Sequence, residues 1–329
     1  KRNHHLFIFN FNMKKFLTKL IFLLLSIITI NLLLMWIINI PQRILIDNNI
    51  EHIQKKWNNL KSKKYDIMIL GSSRSYNAYN PLIIDTITSK VTYNMGTSFQ
   101  HITESYFSIK EVLKDQKPEI IILDINSFAF QEKPEFIYFF EHQKYVSSEI
   151  SKEMSQIFLK EKFLQNFLPI YVNRKRINFE EIKRSYNFTT QYFKNKKNTI
   201  NNLKQDWNNS GWQYKDSTSY HKAKYIPLPN HDYEKISSTT FSYIHKIKKI
   251  CEENNIKFIC IRTAYPSSRL KMTDKDYEFN YFNSKLNSMG IPFYDFNYKS
   301  QFTYFENDFH DGVHLSFLGA QKASIDLAN

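Results

Sequence analysis

Four short stretches concentrate the residues able to do chemistry. "YDIMILGSSRSYNAYN" (65–80) breaks from an apolar run into Gly71-Ser72-Ser73-Arg74. "YNMGTS" sets Asn94 and Gly96 after a second run, and "LDIN" closes a third in Asp124 and Asn126. "DGVHLSFLGA" carries Asp311 three residues before His314. A serine hydroxyl is a weak nucleophile until a base takes its proton. An imidazole serves as that base when a carboxylate fixes its tautomer, and nearby N–H donors stabilise the oxyanion that forms. Ser73, His314 and Asp311 supply the three roles. The backbone N–H groups of Ser73 and Gly96 and the side-chain amide of Asn126 are the candidate oxyanion donors. Ser72 is the alternative nucleophile and His310 the alternative base. Arg74 either binds an anionic substrate group or forms a structural salt bridge under its loop. Tyr265 either lines the pocket or shapes a loop, and Asn126 either reaches the oxyanion or braces the loop beside it. Asn94 reads as a turn former and Asp308 as solvated.

These residues act together only if the fold gathers them. Five runs have strand character: 65–70, 91–94, 119–125, 257–262 and 291–296, for example "EIIILDI" and "KFICIR". They are rich in β-branched residues and lack polar alternation, as strands buried on both faces of a parallel sheet do. Helical patterns such as "HITESYFSIKEVLKDQ" lie between most of them, which implies a doubly wound domain. In such a sheet ligands bind beyond the carboxyl ends of the strands. The serine turn, the glycine turn, Asn126, Tyr265 and the Asp/His pair all follow strand ends. The expected fold is α/β, a three-layer α/β/α sandwich with a five-stranded parallel, flavodoxin-like sheet. Residues 131–230, rich in Tyr, Phe, Lys and Asn, interrupt the alternation and read as a helical insertion, either a surface elaboration or a substrate cap. Ser316 is the expected N-cap of the helix "FLGAQKASIDLA".

The order of these blocks resembles the SGNH (GDSL-like) hydrolase superfamily. The matching blocks are "ILGSSRS", "YNMGTS", "LDIN" and "DGVHLSFLGA", and the resemblance covers 65–126 and 257–329. It implies Ser73 as nucleophile, Asp311 and His314 as its partners, and Gly96 and Asn126 at the oxyanion. Ser72 stands where that family usually has Asp, and Asp124 and Ser127 where it has Gly and Asp. A Gly-Ser-Ser first block behind an N-terminal anchor resembles a subset acting on cell-envelope polymers, of the teichoic-acid D-alanylation and alginate O-acetylation type. The resemblance implies hydrolysis or transfer of an acyl ester through acyl-Ser73, without a metal or organic cofactor. A non-catalytic scaffold that binds polymer or a partner membrane-bound acyltransferase, and a membrane-lipid esterase, are the alternatives.

The chain has 329 residues and 42% hydrophobic composition, enough for a large core. A net charge of +14 suits an anionic membrane or cell-surface polymer as partner. No nucleic-acid-binding motif accompanies that charge, so no nucleic-acid partner is expected. Cys251 and Cys260 lie outside any CxxC or metal-ligand spacing and read as two buried thiols, a disulfide being the other possibility. From Leu20 to Ile40 no residue is charged. As a helix that run would span the roughly 30 Å of bilayer hydrocarbon. Lys14, Lys15 and Lys19 precede it and Trp36 sits near its far end. The expected organisation is a cytoplasmic leader (1–19, in which 1–12 before Met13 look non-native), a single-pass signal anchor (20–40), a polar stalk (41–64) and an extracytoplasmic domain (65–329).

Overall fold

The structure, a computed structural model, describes residues 2–38, 51–125, 139–167, 209–213, 238–270 and 275–329. The chain divides into two compact units, 1–47 with 157–203, and 48–156 with 204–329.

The first unit contains one long helix, α1 (Arg2–Ile38). Its described side chains from Met13 onward are exposed. Among the described residues, no helix is long and apolar enough to cross a membrane.

The second unit is built on five parallel strands: β1 (Ile67–Leu70), β2 (Thr92–Asn94), β3 (Ile120–Asp124), β4 (Lys257–Arg262) and β5 (Phe293–Asp295). Their order is β2-β1-β3-β4-β5. Register sets Ile67 beside Ile120 and Met68 beside Ile121, so successive residues of neighbouring strands face the same way together. Ile67, Ile69, Ile122 and Ile261 share one core with Ala78, Tyr79, Ile84, Leu315 and Ala323. Met68, Leu70, Ile121, Leu123 and Cys260 alternate with them and are equally buried. Both faces of the sheet are therefore dry, which is why these strands read as unbroken apolar runs. Each fully buried aliphatic side chain contributes roughly 1.5–3 kcal/mol.

The helices that cover the sheet follow from local signals. α3 (Ser73–Ala78) and α4 (Pro81–Thr88) follow β1, and Asn80 caps α4 ahead of Pro81 at its first position. α4 packs against α11 (Phe317–Ala328). α5 (Ile102–Asp115) opens with a capping box between His101 and Glu104. α8 (Ser238–Glu253) packs against α5 and against β4, burying Ile244, Ile247 and Cys251. Between them lie α6 (Phe139–Gln143) and α7 (Ser148–Phe167). α9 (Ser267–Leu270) and α10 (Lys275–Ser288) lead to β5. A 3₁₀ turn (Glu306–Asp308) precedes α11 (Phe317–Ala328). Of the expected 131–230 insertion, residues 168–208 and 214–230 lie outside the described residues, as do 131–138.

The helix expected within 41–64 forms over residues 51–60, α2, and it belongs to the α/β unit, where one face is buried rather than solvated. Ile53, Trp57 and Leu60, spaced on one helical face, are all buried, and Lys56 is buried with them. The Tyr93 hydroxyl donates to Lys56 O at 2.7 Å, and Gln116 Nε2 donates to Leu60 O at 3.0 Å. The two cysteines are the buried free thiols expected, not a disulfide, and burial pushes the Cys251 thiol up to about 12. Burial also raises that of Cys260.

Candidate active site

β1 turns into α3 through Gly71, whose φ is +146°. A Cβ there would lie 2.9 Å from Ser75 Cβ and 3.0 Å from both Asp124 Cβ and the Asp124 carbonyl oxygen. Only glycine lets the chain reverse this close to β3. Ser72 then takes extended backbone and caps α3, its side chain accepting the Arg74 N–H at 3.4 Å. Ser72 is thereby used as a cap. Ser73 becomes the first helical residue, and of residues 71–80 it alone is not buried.

The Asp/His turn is held from both sides. Ser316 caps α11 by accepting the Gly319 N–H. A Cβ on Gly319 would fall 2.1 Å from the Asp308 carbonyl oxygen, so glycine lets α11 close on the 3₁₀ turn. Asp308, expected in solvent, is buried: its Oδ2 accepts the Phe305 N–H and Lys322 Nζ, each at 2.8 Å. Phe309 and Leu315 bridge across the loop, with the His310 N–H donating to His314 O at 2.8 Å. Within this frame Asp311 Oδ1 accepts the N–H groups of Val313 and His314, both at 2.8 Å. Asp311 Oδ2 lies 2.8 Å from His314 Nδ1, and His314 Nε2 lies 2.8 Å from Ser73 Oγ. Of the two histidines it is the ring of His314 that meets the serine.

Partial burial would raise the Asp311 carboxyl. The His314 hydrogen bond and charge, with the two backbone N–H groups, outweigh it and hold that carboxyl below the usual carboxylate range. An ionised Asp311 only accepts, so His314 Nδ1 carries the proton. Nε2 is then left to accept from the Ser73 hydroxyl.

The other candidates lie as follows. Gly96 packs on the serine turn, where an added Cβ would sit 3.0 Å from Gly71 O and 3.3 Å from Ser75 Cβ. Its N–H donates to Asn94 Oδ1 at 3.1 Å, so that group is committed within the protein rather than offered to an oxyanion. Asn94 does more than form a turn: its Nδ2 donates to Ser75 O at 3.0 Å and Tyr79 O at 3.1 Å, clamping α3 onto β2. Asn126 lies outside the described residues. Arg74 and Tyr265 are buried against each other, the guanidinium stacked 3.6 Å above the ring centroid. Arg74 Nη2 also donates to the carbonyls of Thr263 (2.7 Å) and Ala264 (2.8 Å). The end of β4 closes over α3 in this way. Arg74 and Tyr265 thus brace the serine turn from beneath. Asp124, also buried, accepts from Thr263 N–H at 3.1 Å and from the Thr263 hydroxyl at 2.9 Å. Among the described residues no group of three or more His, Cys, Asp or Glu could hold a metal ion.

One contributor came from the region read as an insertion. The described segment 209–213 lies along β2 and α3. Asn94 N–H donates to Ser210 O at 3.0 Å, and Gln213 N–H to Tyr76 O at 3.1 Å. Trp212 Nε1 donates to Asn77 O at 3.2 Å, and its ring lies 6.2 Å from that of Phe317. A Cβ on Gly211 would sit 2.1 Å from Asn94 O. A glycine and a tryptophan amid the polar "NNSGWQ" were the signal for it.

No protein-family model and no curated protein matches the chain. Among solved structures it resembles a GDSL-like lipase from Bacteroides thetaiotaomicron VPI-5482, with 12% identity over 79% of this chain and 84% of that one and a TM-score of 0.36. It also resembles a Bacteroides fragilis NCTC 9343 protein described as a "putative acylhydrolase", with 12% identity, 83% and 91% covered and a TM-score of 0.39. Likeness at this level carries no argument about chemistry, which rests on the Ser73–His314–Asp311 geometry of this chain.

Proposed function

We propose that this chain is a serine-dependent acyl-ester hydrolase or O-acyltransferase with Ser73 as nucleophile. One observation carries the reading: Ser73 Oγ and Asp311 Oδ2 each lie 2.8 Å from opposite nitrogens of the His314 ring. Ser73 Oγ attacks the ester carbonyl carbon while His314 Nε2 takes its proton. Asp311 stabilises the imidazolium without taking up the proton itself. The Ser73 N–H, at the first position of α3, has no intrahelical acceptor and suits the developing oxyanion. Collapse of the tetrahedral intermediate breaks the ester C–O bond. The alcohol leaves with the proton from His314, and acyl-Ser73 remains. Water or a sugar hydroxyl, deprotonated by His314, then attacks and frees the serine.

The acyl group is carried to or from a cell-envelope polysaccharide or teichoic-type polymer. The net charge of +14 supports an anionic or glycan partner. The uncharged run Leu20–Ile40 supports an anchored, extracytoplasmic domain, which a membrane-bound acyltransferase could supply with acyl groups. A fluorophosphonate probe tests the reading. Wild-type protein becomes labelled and Ser73→Ala does not. Well-folded wild type that resists labelling would point to a binding scaffold instead. Turnover of short aryl esters compared with acylated polymer and with phospholipid vesicles separates the substrate classes.

A further inference from the structure

We propose that Lys56 is a positioning residue for the Ser73 site, acting through the glycine turn that follows β2. The inference rests on Ser73 being the nucleophile, and it brings α2 into the catalytic machinery. Lys56 is 2% exposed. Its Nζ donates to Asn94 O at 2.8 Å and to Gly96 O. These two carbonyls bracket Met95, so a single ammonium holds both ends of the turn. On the far side of the Gly96–Thr97 peptide, the Thr97 N–H donates to Gly71 O at 3.0 Å. Gly71 is the residue on which the chain reverses into Ser72 and Ser73. A hydrogen-bonded path thus runs from Lys56 through one peptide unit to the turn that aims the nucleophile. Charge on Gly96 O draws density from that amide and strengthens the Thr97 N–H as a donor.

A second hold acts on the same turn. Trp57, beside Lys56 on α2, donates from Nε1 to His142 Nδ1 at 3.3 Å. An indole nitrogen only donates, so His142 Nε2 carries the ring proton and donates to Thr97 Oγ1 at 3.0 Å. Burial, with the Lys56 charge, lowers the His142 pKa to about 3, so its ring stays neutral. Burial also depresses the Lys56 ammonium well below its ordinary range. A buried ammonium is expensive, and here its cost is met by two carbonyl acceptors of a single turn. Lysine at this place therefore points to a service beyond packing.

Lys56→Met keeps the stem and removes the charge and the donors. Steady-state hydrolysis of an aryl ester, measured well below the melting temperature of both proteins, reads the effect. A misaligned nucleophile turn predicts kcat lower by about 10- to 100-fold, KM within about threefold, and correspondingly slower fluorophosphonate labelling. Lys56→Met with wild-type kcat and labelling rate overturns the proposal. If Lys56→Met does not fold, Lys56→Gln carries the same test, with the same drop in support and wild-type kcat against. Failure of the underlying reading shows differently: wild type itself would then give no labelling that depends on Ser73.

Discussion

His314 Nε2 and Ser73 Oγ stand 2.8 Å apart although 241 positions separate them in the chain. The serine arrives on the turn after β1 and the histidine on the loop before α11. Ala323 of α11 packs in the same core as Ile67 and Ile69 of β1, so sheet packing sets the distance.

Asp311 orients His314 and stabilises its charged form. In Asp311→Asn, kcat for ester hydrolysis should fall by roughly 10³- to 10⁴-fold. The double variant with Ser73→Ala should be no worse than Ser73→Ala alone, because residues acting as a unit are not additive. Activity within tenfold of wild type would remove Asp311 from the mechanism.

Asp124 and Asp311 respond to acid with opposite signs. Burial pushes the Asp124 carboxyl up to about 6, against the lowering influence of Arg74 and the Thr263 hydrogen bonds. Unfolded, it titrates at about 3.9. The folded chain then binds the extra proton between these values. The stabilisation is complete below about pH 4 and is lost as pH rises through about 6. At about 1.4 kcal/mol per unit the span is roughly 3 kcal/mol. Between pH 4 and 7, urea unfolding of wild type should lose up to about that much more stability than Asp124→Asn does. Parallel profiles would show that Asp124 is ionised throughout. The depressed Asp311 carboxyl does the reverse: its contribution is present above about pH 4 and is lost as pH falls toward its folded value.

Gly71 and Gly211 have no room for a side chain. At Gly71 the backbone has φ +146° and a Cβ would meet Ser75 and Asp124 at 2.9–3.0 Å. Gly71→Ala should destabilise by about 2–4 kcal/mol in denaturant titration and cut kcat at least tenfold, since Ser73 moves with the turn. Gly211→Ala should drive 209–213 away from Asn94 O. Limited proteolysis should then cut near Trp212 faster than in wild type.

Arg74 braces the serine turn from beneath. Arg74→Met should lower stability by about 2–4 kcal/mol, because two carbonyls and the Tyr265 ring lose their partner. KM should change by the same factor for anionic and neutral esters. A selective rise in KM for the anionic ester would restore Arg74 as a substrate contact.

What the sequence determined by itself is whatever is encoded within a few residues. Unbroken β-branched runs announce strands buried on both faces, because no alternation is needed when neither face meets water. Asp311 and His314, three residues apart, meet in one turn closed by the Val313 and His314 N–H groups on the Asp311 carboxylate. Ser316 caps α11 by accepting the Gly319 N–H in the first turn of that helix. The tertiary structure decided what distant partners control. Arg74 follows a serine in either reading, and only the fold of β4 over α3 shows its guanidinium spent on Thr263, Ala264 and Tyr265. Lys56 looks like a solvated charge until Asn94 and Gly96 supply carbonyls for it 38 and 40 positions away. The segment 209–213 looks like polar linker until β2 offers it an edge. A side chain's burial and partners depend on elements remote in sequence, so periodicity and local spacing carry no record of them.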